Sequence, residues 1–220
     1  MKRTPEKNHA LRGWVASFIL TVGTVCVSYE WFDRPVAFFV HDYVGQNRIF
    51  VRLQQLPEGL APLSVILLVA LGLTALAARP FSTLQTVFLL CSLSFVVAET
   101  IKNQLKFVFG RTWPETWVGN NPSLIHDGAY GFNFFHGGAG FASFPSGHTS
   151  AICAVTTVLW IYYPRFRPLY ILFVSAVVLG LIGADYHFLS DIIAGGFVGV
   201  SAGWMVVMIW KTNRGVPALD

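Results

Sequence analysis

The sequence predicts an all-α polytopic membrane protein. One domain over residues 1–220 holds six transmembrane helices in a bundle, under an outward cap of loop and amphipathic helix. Three observations predict it. Hydrophobic residues make up 54% of the chain and charged residues only 12%, against roughly 25% charged in a typical soluble domain. The apolar residues form continuous runs without the ten-residue alternation of a β-barrel, and in lipid a continuous run satisfies its backbone only as helix. Polar, glycine- and aromatic-rich segments separate the runs.

The spans fall at about residues 13–29, 59–78, 80–101, 148–164, 168–184 and 191–210, close to the roughly 20 apolar residues that cross a bilayer. The fourth is short and draws on its flanks. The first is read as a span because Ser28-Tyr29-Glu30 offers no small-x-small cleavage site. After it, residues 31–55 mix aromatics with Asp33, Arg34, Asp42, Arg48 and Arg52, which reads as an interfacial amphipathic helix or a cap. Residues 110–147 form a long loop rich in Gly, Pro, Asn, Trp and Phe, a length that usually carries function. Cys26, Cys91 and Cys153 sit in apolar runs and read as small hydrophobes.

An even number of spans puts both termini on one side. That side carries Lys2, Arg3, Lys7, Arg12, Arg79, Arg165, Arg167, Lys211 and Arg214. The other carries Arg34, Arg48, Arg52, Lys102, Lys106 and Arg111. The positive-inside rule then places the termini in the cytoplasm and the long loop outside. The net charge of +4 is scattered between apolar runs and forms no stripe, so the membrane explains it better than nucleic acid does.

Span counting brings three polar clusters to the outer surface. Lys102 and Lys106, four residues apart on one helix face, lead into Gly110-Arg111-Thr112-Trp113-Pro114. Pro145-Ser146-Gly147-His148 stands at the entry of the fourth span. Asp185-Tyr186-His187 and Asp191 lie between the last two. Ionisable residues at membrane depth are costly, so such a cluster points to function. Two cations beside a helix N-terminus make an anion cradle, to which the Ser146, Gly147 and His148 amides and the Ser146 hydroxyl would contribute. Asp191, one turn from His187, would fix one imidazole nitrogen and leave the other free to attack, while His148 would protonate the departing oxygen. Asp185 reads as a helix cap or a support for Tyr186. Glu99 reads as a partner for Lys102 or Lys106. His136 with Phe132, Phe134, Phe135 and Phe141 reads as a lipid entrance or a membrane-dipping loop. No carboxylate cluster has metal-ligand spacing, so neither metal nor cofactor is expected.

These motifs resemble the type-2 phosphatidic acid phosphatase superfamily, over about residues 60–210. Pro145-Ser146-Gly147-His148 matches its second motif in full. His187-x-x-x-Asp191 with Ile192-Ile193-Ala194-Gly195 matches the end of the third, and Lys106 with Gly110-Arg111 most of the first. Trp113 stands where the family has an arginine before the proline, so Arg111 would serve in its place. Leu181 stands where the third motif opens with arginine, and Lys102 would compensate. The resemblance implies metal-independent hydrolysis of a lipid phosphate or pyrophosphate through a phosphohistidine. His187 would be nucleophile, His148 acid and Asp191 its orienting base. Lys106, Arg111, Ser146, Gly147 and Lys102 would hold phosphate. The implied setting is the outer face of a bacterial inner membrane. A phosphotransferase using the same intermediate, and a non-catalytic lipid-binding protein, stay open at this point, as does the choice among undecaprenyl diphosphate, phosphatidylglycerol phosphate, phosphatidic acid and lipid A.

Overall fold

The computed structural model describes residues 5–45, 47–77, 80–117 and 120–213. Lys2, Arg3, Arg79 and Arg214 of the basic count, and Ala78 at the end of the second span, lie outside the described residues. Among those described, helices follow in the order α1 (Pro5–Val27), α2 (Asp33–Phe39), α3 (Arg48–Gln54), α4 (Leu60–Leu76), α5 (Thr83–Phe109), α6 (Leu124–Asp127), α7 (Gly147–Tyr162), α8 (Arg167–Gly183) and α9 (Leu189–Asn213). Only isolated bridges represent β-structure among them.

Each of the six apolar segments is helical. Four helical runs, Leu11–Val44, Thr83–Phe109, Pro164–Gly183 and Leu189–Asn213, are long and apolar enough to cross a membrane. α4 is a shorter apolar helix of 17 residues and α7 has 16. Large apolar side chains lie bare on α1, α4 and α8, among them Leu20, Ile66, Leu73 and Leu172. Apolar exposure on this scale marks a surface meant for lipid.

The first helix departs from the sequence reading. Residues 31–44 do not form a separate interfacial helix. They continue α1 through two wide turns, Ser28–Phe32 and Val40–Val44, as one 34-residue run. Each wide turn shifts the helical phase, and the first one rotates Asp33 inward, where it is 1% exposed. The run stops at Gly45, whose φ of 63° takes the left-handed region.

α5 also outruns its predicted span. A capping box starts it: Gln85 N–H donates to Ser82 Oγ at 3.2 Å and Ser82 N–H to Gln85 Oε1 at 2.9 Å. Its 27 residues rise about 40 Å and carry Lys102 and Lys106 on its last turns. Gly110 ends it at φ 53°, where a Cβ would lie 1.9 Å from the Asn133 carbonyl oxygen.

α5, α7 and α9 form the centre. Ala98, Ala154 and Ala202 meet on the axis, above an apolar layer of Val87, Leu90, Val158 and Val207. Gly195, Gly199 and Gly203 make one face of α9 and lie against the backbone of Ser146, Ser150 and Ala154. A Cβ at any of the three would fall within 2.7 Å of a carbonyl oxygen. This spacing lets two helices approach closely without a hydrophobic driving force between them. It also fixes the start of α7 against the start of α9. On the other flank, Gly180 and Gly183 admit α3 against α8 in the same way.

Candidate active site

The C-terminal half of α5, the starts of α4 and α7, and the segment between α8 and α9 surround a cavity of about 230 Å³, lined by Lys102, Lys106, Gly147, His148 and His187, with Trp113 among its other walls. The three polar clusters of the sequence therefore meet in space.

His187 precedes α9, and Asp191 lies in its first turn. Their spacing brings His187 Nδ1 to 3.3 Å from Asp191 Oδ2. The same oxygen accepts from Ser143 Oγ at 2.5 Å and from the Phe188 N–H at 3.1 Å. The other oxygen accepts from Arg111 Nη1 at 2.5 Å. With four donors around it, Asp191 has one orientation. An Nδ1–H donated to that carboxylate leaves Nε2 as the basic nitrogen of His187. Burial pushes the His187 pKa down, against the pull of Asp191.

Arg111 is not where the sequence reading put it. It is 0% exposed and stays off the cavity wall. Its Nη2 donates to Asp33 Oδ2 at 2.7 Å and its Nη1 donates to Ser190 Oγ at 2.6 Å as well as to Asp191. Tyr29, Tyr130, Phe132 and Phe188 surround the guanidinium, with ring centroids 4.3–5.5 Å away. Burial opposes its charge, but Asp191 and Asp33 outweigh that and hold its pKa above the ordinary value. The physical reason for the displacement is Asp33. A carboxylate delivered by the first helix captures the guanidinium behind Asp191.

Ser146 is likewise taken. Its N–H donates to the Asp191 carbonyl at 3.0 Å, and its hydroxyl caps α7 by accepting from the Thr149 N–H and Oγ1–H. It positions the helix start, where Gly147 and His148 face the cavity. Gly147 lies close under a lysine: a Cβ there would stand 3.2 Å from Lys102 Nζ and press that side chain back by a few tenths of an ångström. Lys102 thus lies over the first turn of α7, the positive end of the helix. Lys102 Nζ also pairs with Glu99 at 2.7 Å. Lys106 Nζ donates to the Ala142 carbonyl and sits 5.4 Å from the Trp113 ring centre.

The two positions that lack the family arginine differ. Leu181 is fully buried in an apolar cluster with Val177 and Ile192. Trp113 lines the cavity. Its indole N–H donates to the Ala139 carbonyl at 2.8 Å and its ring lies 5.1 Å from that of His187. Asp185 has an unpartnered Oδ2 among the described residues and neither caps α9 nor touches Tyr186 through a hydrogen bond. Desolvation first, then Glu115, raises its pKa to about 7. Phe134 and Phe135 are exposed at the loop surface. Sequence reasoning missed Asp33, Ser143 and Ser190. Nothing local marks them, since the partners that tie them to the site are 44 to 157 residues away.

The assembly supplies an oriented imidazole, a second imidazole at a helix N-terminus, and two lysines around a phosphate-sized space. Comparison with known proteins agrees with that chemistry. The PAP2 superfamily model matches residues 82–215. A lipid A 1-phosphatase of Rhizobium etli is 26% identical over 215 residues, covering 89% of this chain and 83% of that protein. A lipid A 1-phosphatase of Rhizobium johnstonii is 34% identical over 105 residues, 46% of this chain and 38% of that protein. No solved structure gives a significant match. With more than half of its length matched by the family model, the chain belongs to the PAP2 superfamily, the type-2 phosphatidic acid phosphatases.

Proposed function

We propose that this protein removes phosphate from a membrane lipid through a phosphohistidine, without a metal. The observation that carries the reading is the placement of His187, held by Asp191, and His148 on one cavity with Lys102 and Lys106. In the first step His187 Nε2 bonds to phosphorus, the bond from phosphorus to the lipid oxygen breaks, and His148 gives that oxygen its proton. In the second step water bonds to phosphorus, the nitrogen–phosphorus bond breaks, and His148 takes the proton of the water. Lys102, Lys106 and the first turn of α7 at Gly147 hold the phosphoryl oxygens. Asp191 stabilises the charge that appears on the His187 ring. Arg111 and Ser146 act behind this surface, on Asp191 and on α7.

Six spans, cytoplasmic termini and an outward site complete the reading. Its basis is the asymmetry of lysine and arginine between alternate loops. The names of the relatives favour lipid A 1-phosphate over the other lipid phosphates as substrate. The test is a panel of lipid phosphates in detergent, lipid A included, scored for inorganic phosphate with chelator present. Release from lipid A without any added acceptor is expected. Turnover that needs a lipid acceptor would make the protein a transferase, and loss of turnover with chelator would overturn the mechanism. For orientation, Asn120→Cys should react with an impermeant thiol reagent in cells whose outer membrane is opened. Labelling only after lysis would invert the topology.

A further inference from the structure

One of the buried charged groups behind His187 comes from outside the region that the family model matches. Asp33 belongs to the first helix, whereas the match begins at residue 82. Three of its four side-chain hydrogen bonds go to Arg111 and Ser190 at the catalytic end. Asp33 Oδ2 accepts from Arg111 Nη2 at 2.7 Å and from Ser190 Oγ. Asp33 Oδ1 accepts from the Ser190 N–H at 2.9 Å and from Ser28 Oγ at 2.9 Å. Ser190 is the residue before Asp191, so Asp33 also fastens the first turn of α9. The wide turn at Ser28–Phe32 is what brings the carboxylate inward.

We propose that Asp33 is a positioning residue for the phosphatase reaction: by sharing Arg111 with Asp191 it leaves one surplus negative charge behind His187. The inference rests on the phosphohistidine reading above. Attack by His187 Nε2, with Nδ1 still protonated, leaves a positive phosphoimidazolium ring. A lone Arg111–Asp191 pair is neutral and does little for that ring. Two carboxylates on one guanidinium hold Asp191 in place and keep it able to stabilise the cation. The three groups are buried, with aromatic rings packed around the guanidinium, and charge acts there at low dielectric. The other groups facing His187 are Lys106 from α5, His148 from α7 and Tyr186 beside it, with Glu58, Glu99 and Lys102 further along the wall. None of them touches Asp33.

The experiment compares wild type, Asp33→Asn and Asp33→Glu as full-length protein in detergent. The first readout is the titration of His187 by NMR with isotope-labelled histidine, assigned through His187→Gln. The second is kcat and KM on the lipid phosphate that wild type hydrolyses best. In Asp33→Asn, His187 should titrate about one pH unit lower. Its kcat should fall by about tenfold or more while KM stays within about twofold. Asp33→Glu keeps the charge and should recover the titration. An unchanged titration in Asp33→Asn, or a rise in KM at constant kcat, overturns the proposal. Equal damage from Asn and Glu would reduce Asp33 to a packing group and overturns it too. If Asp33→Asn does not fold, Asp33→Asn with Arg111→Gln removes the opposing charges together. His187 must then titrate at or above its wild-type value, and a lower value overturns the proposal. Absence of phosphate release from wild type would defeat the phosphatase reading alone, because the titration needs no substrate.

Discussion

The two halves of the cavity are built differently. Behind His187 every polar atom of Asp191 is engaged, Arg111 is sealed among aromatic rings, and Asp33 and Asp191 are both inaccessible. Across the cavity Lys102, Lys106, Gly147 and His148 border open space, and their side-chain bonds are fewer, Lys102 to Glu99 and Lys106 to the Ala142 carbonyl. The difference teaches which half is preorganised. On the proposed mechanism the nucleophile has one position before substrate arrives, which removes reorganisation from the chemical step. The phosphate side keeps lysines on flexible stems, which adapt to the head group that enters. Where the family places arginine, Trp113 adds a flat wall and Leu181 adds packing. On the proposed mechanism the second half would hold the anion with lysines and helix amides in place of bidentate guanidinium forks.

The largest effects should come from the sealed half. Asp191→Asn keeps the shape but withdraws the charge that fixes the His187 tautomer. The kcat should fall by roughly 10³–10⁴-fold with substrate binding retained; a loss below tenfold would mean the carboxylate is only structural. Arg111→Ala leaves two carboxylates facing each other in a dry site. It should cost about 3–5 kcal/mol of stability, read as a lowered unfolding midpoint in detergent. Lys106→Ala should do the opposite, raising KM and weakening vanadate inhibition with stability unchanged. If the two substitutions had the same profile, the contrast between the halves would be gone.

How much of this was legible in the sequence follows the same division. His148, His187, Asp191 and Lys106 could be named because each lies in a short motif whose spacing implies its geometry. The glycine face of α9 was open to reading as well, since Gly195, Gly199 and Gly203 repeat every four residues. Arg111 reads as a cradle residue from its place in the first motif, two positions before Trp113, but the guanidinium turns to Asp33, which is 78 residues away. Asp33 itself looked like an interfacial charge. A wide turn in a helix changes which face a residue presents, and no local pattern in residues 28–32 announces it. Burial that depends on phase slippage and on distant partners is decided by tertiary packing.

A smaller effect separates the acid from the nucleophile. His148→Ala should slow an alkyl phosphate by about 10²–10⁴-fold and p-nitrophenyl phosphate far less, because a good leaving group needs little protonation. Equal losses on both substrates would remove His148 from that role. The pH profile adds a milder constraint. Burial lowers the His187 pKa, so the acid limb of kcat/KM should lie below the ordinary histidine value of about 6.5. The smallest effect is on stability alone. Asp185 has a folded pKa raised to about 7, above that of an unfolded carboxyl. The stability that its proton supplies is complete below about pH 4 and declines as pH rises to about 7. Asp185→Asn should flatten the fall in unfolding temperature across that window and leave kcat nearly intact; an unaltered slope would show that the carboxyl is ionised throughout.

The most direct test of the central claim, that His187 is the residue that takes the phosphoryl group, is covalent trapping. Wild-type protein is mixed with radiolabelled lipid phosphate and quenched in alkali, which preserves phosphohistidine. Label should appear on the protein, survive base, be lost in acid, and map to the peptide carrying His187; His187→Ala should carry none. Acid-labile label that persists in His187→Ala, or that maps to His148, would contradict the account.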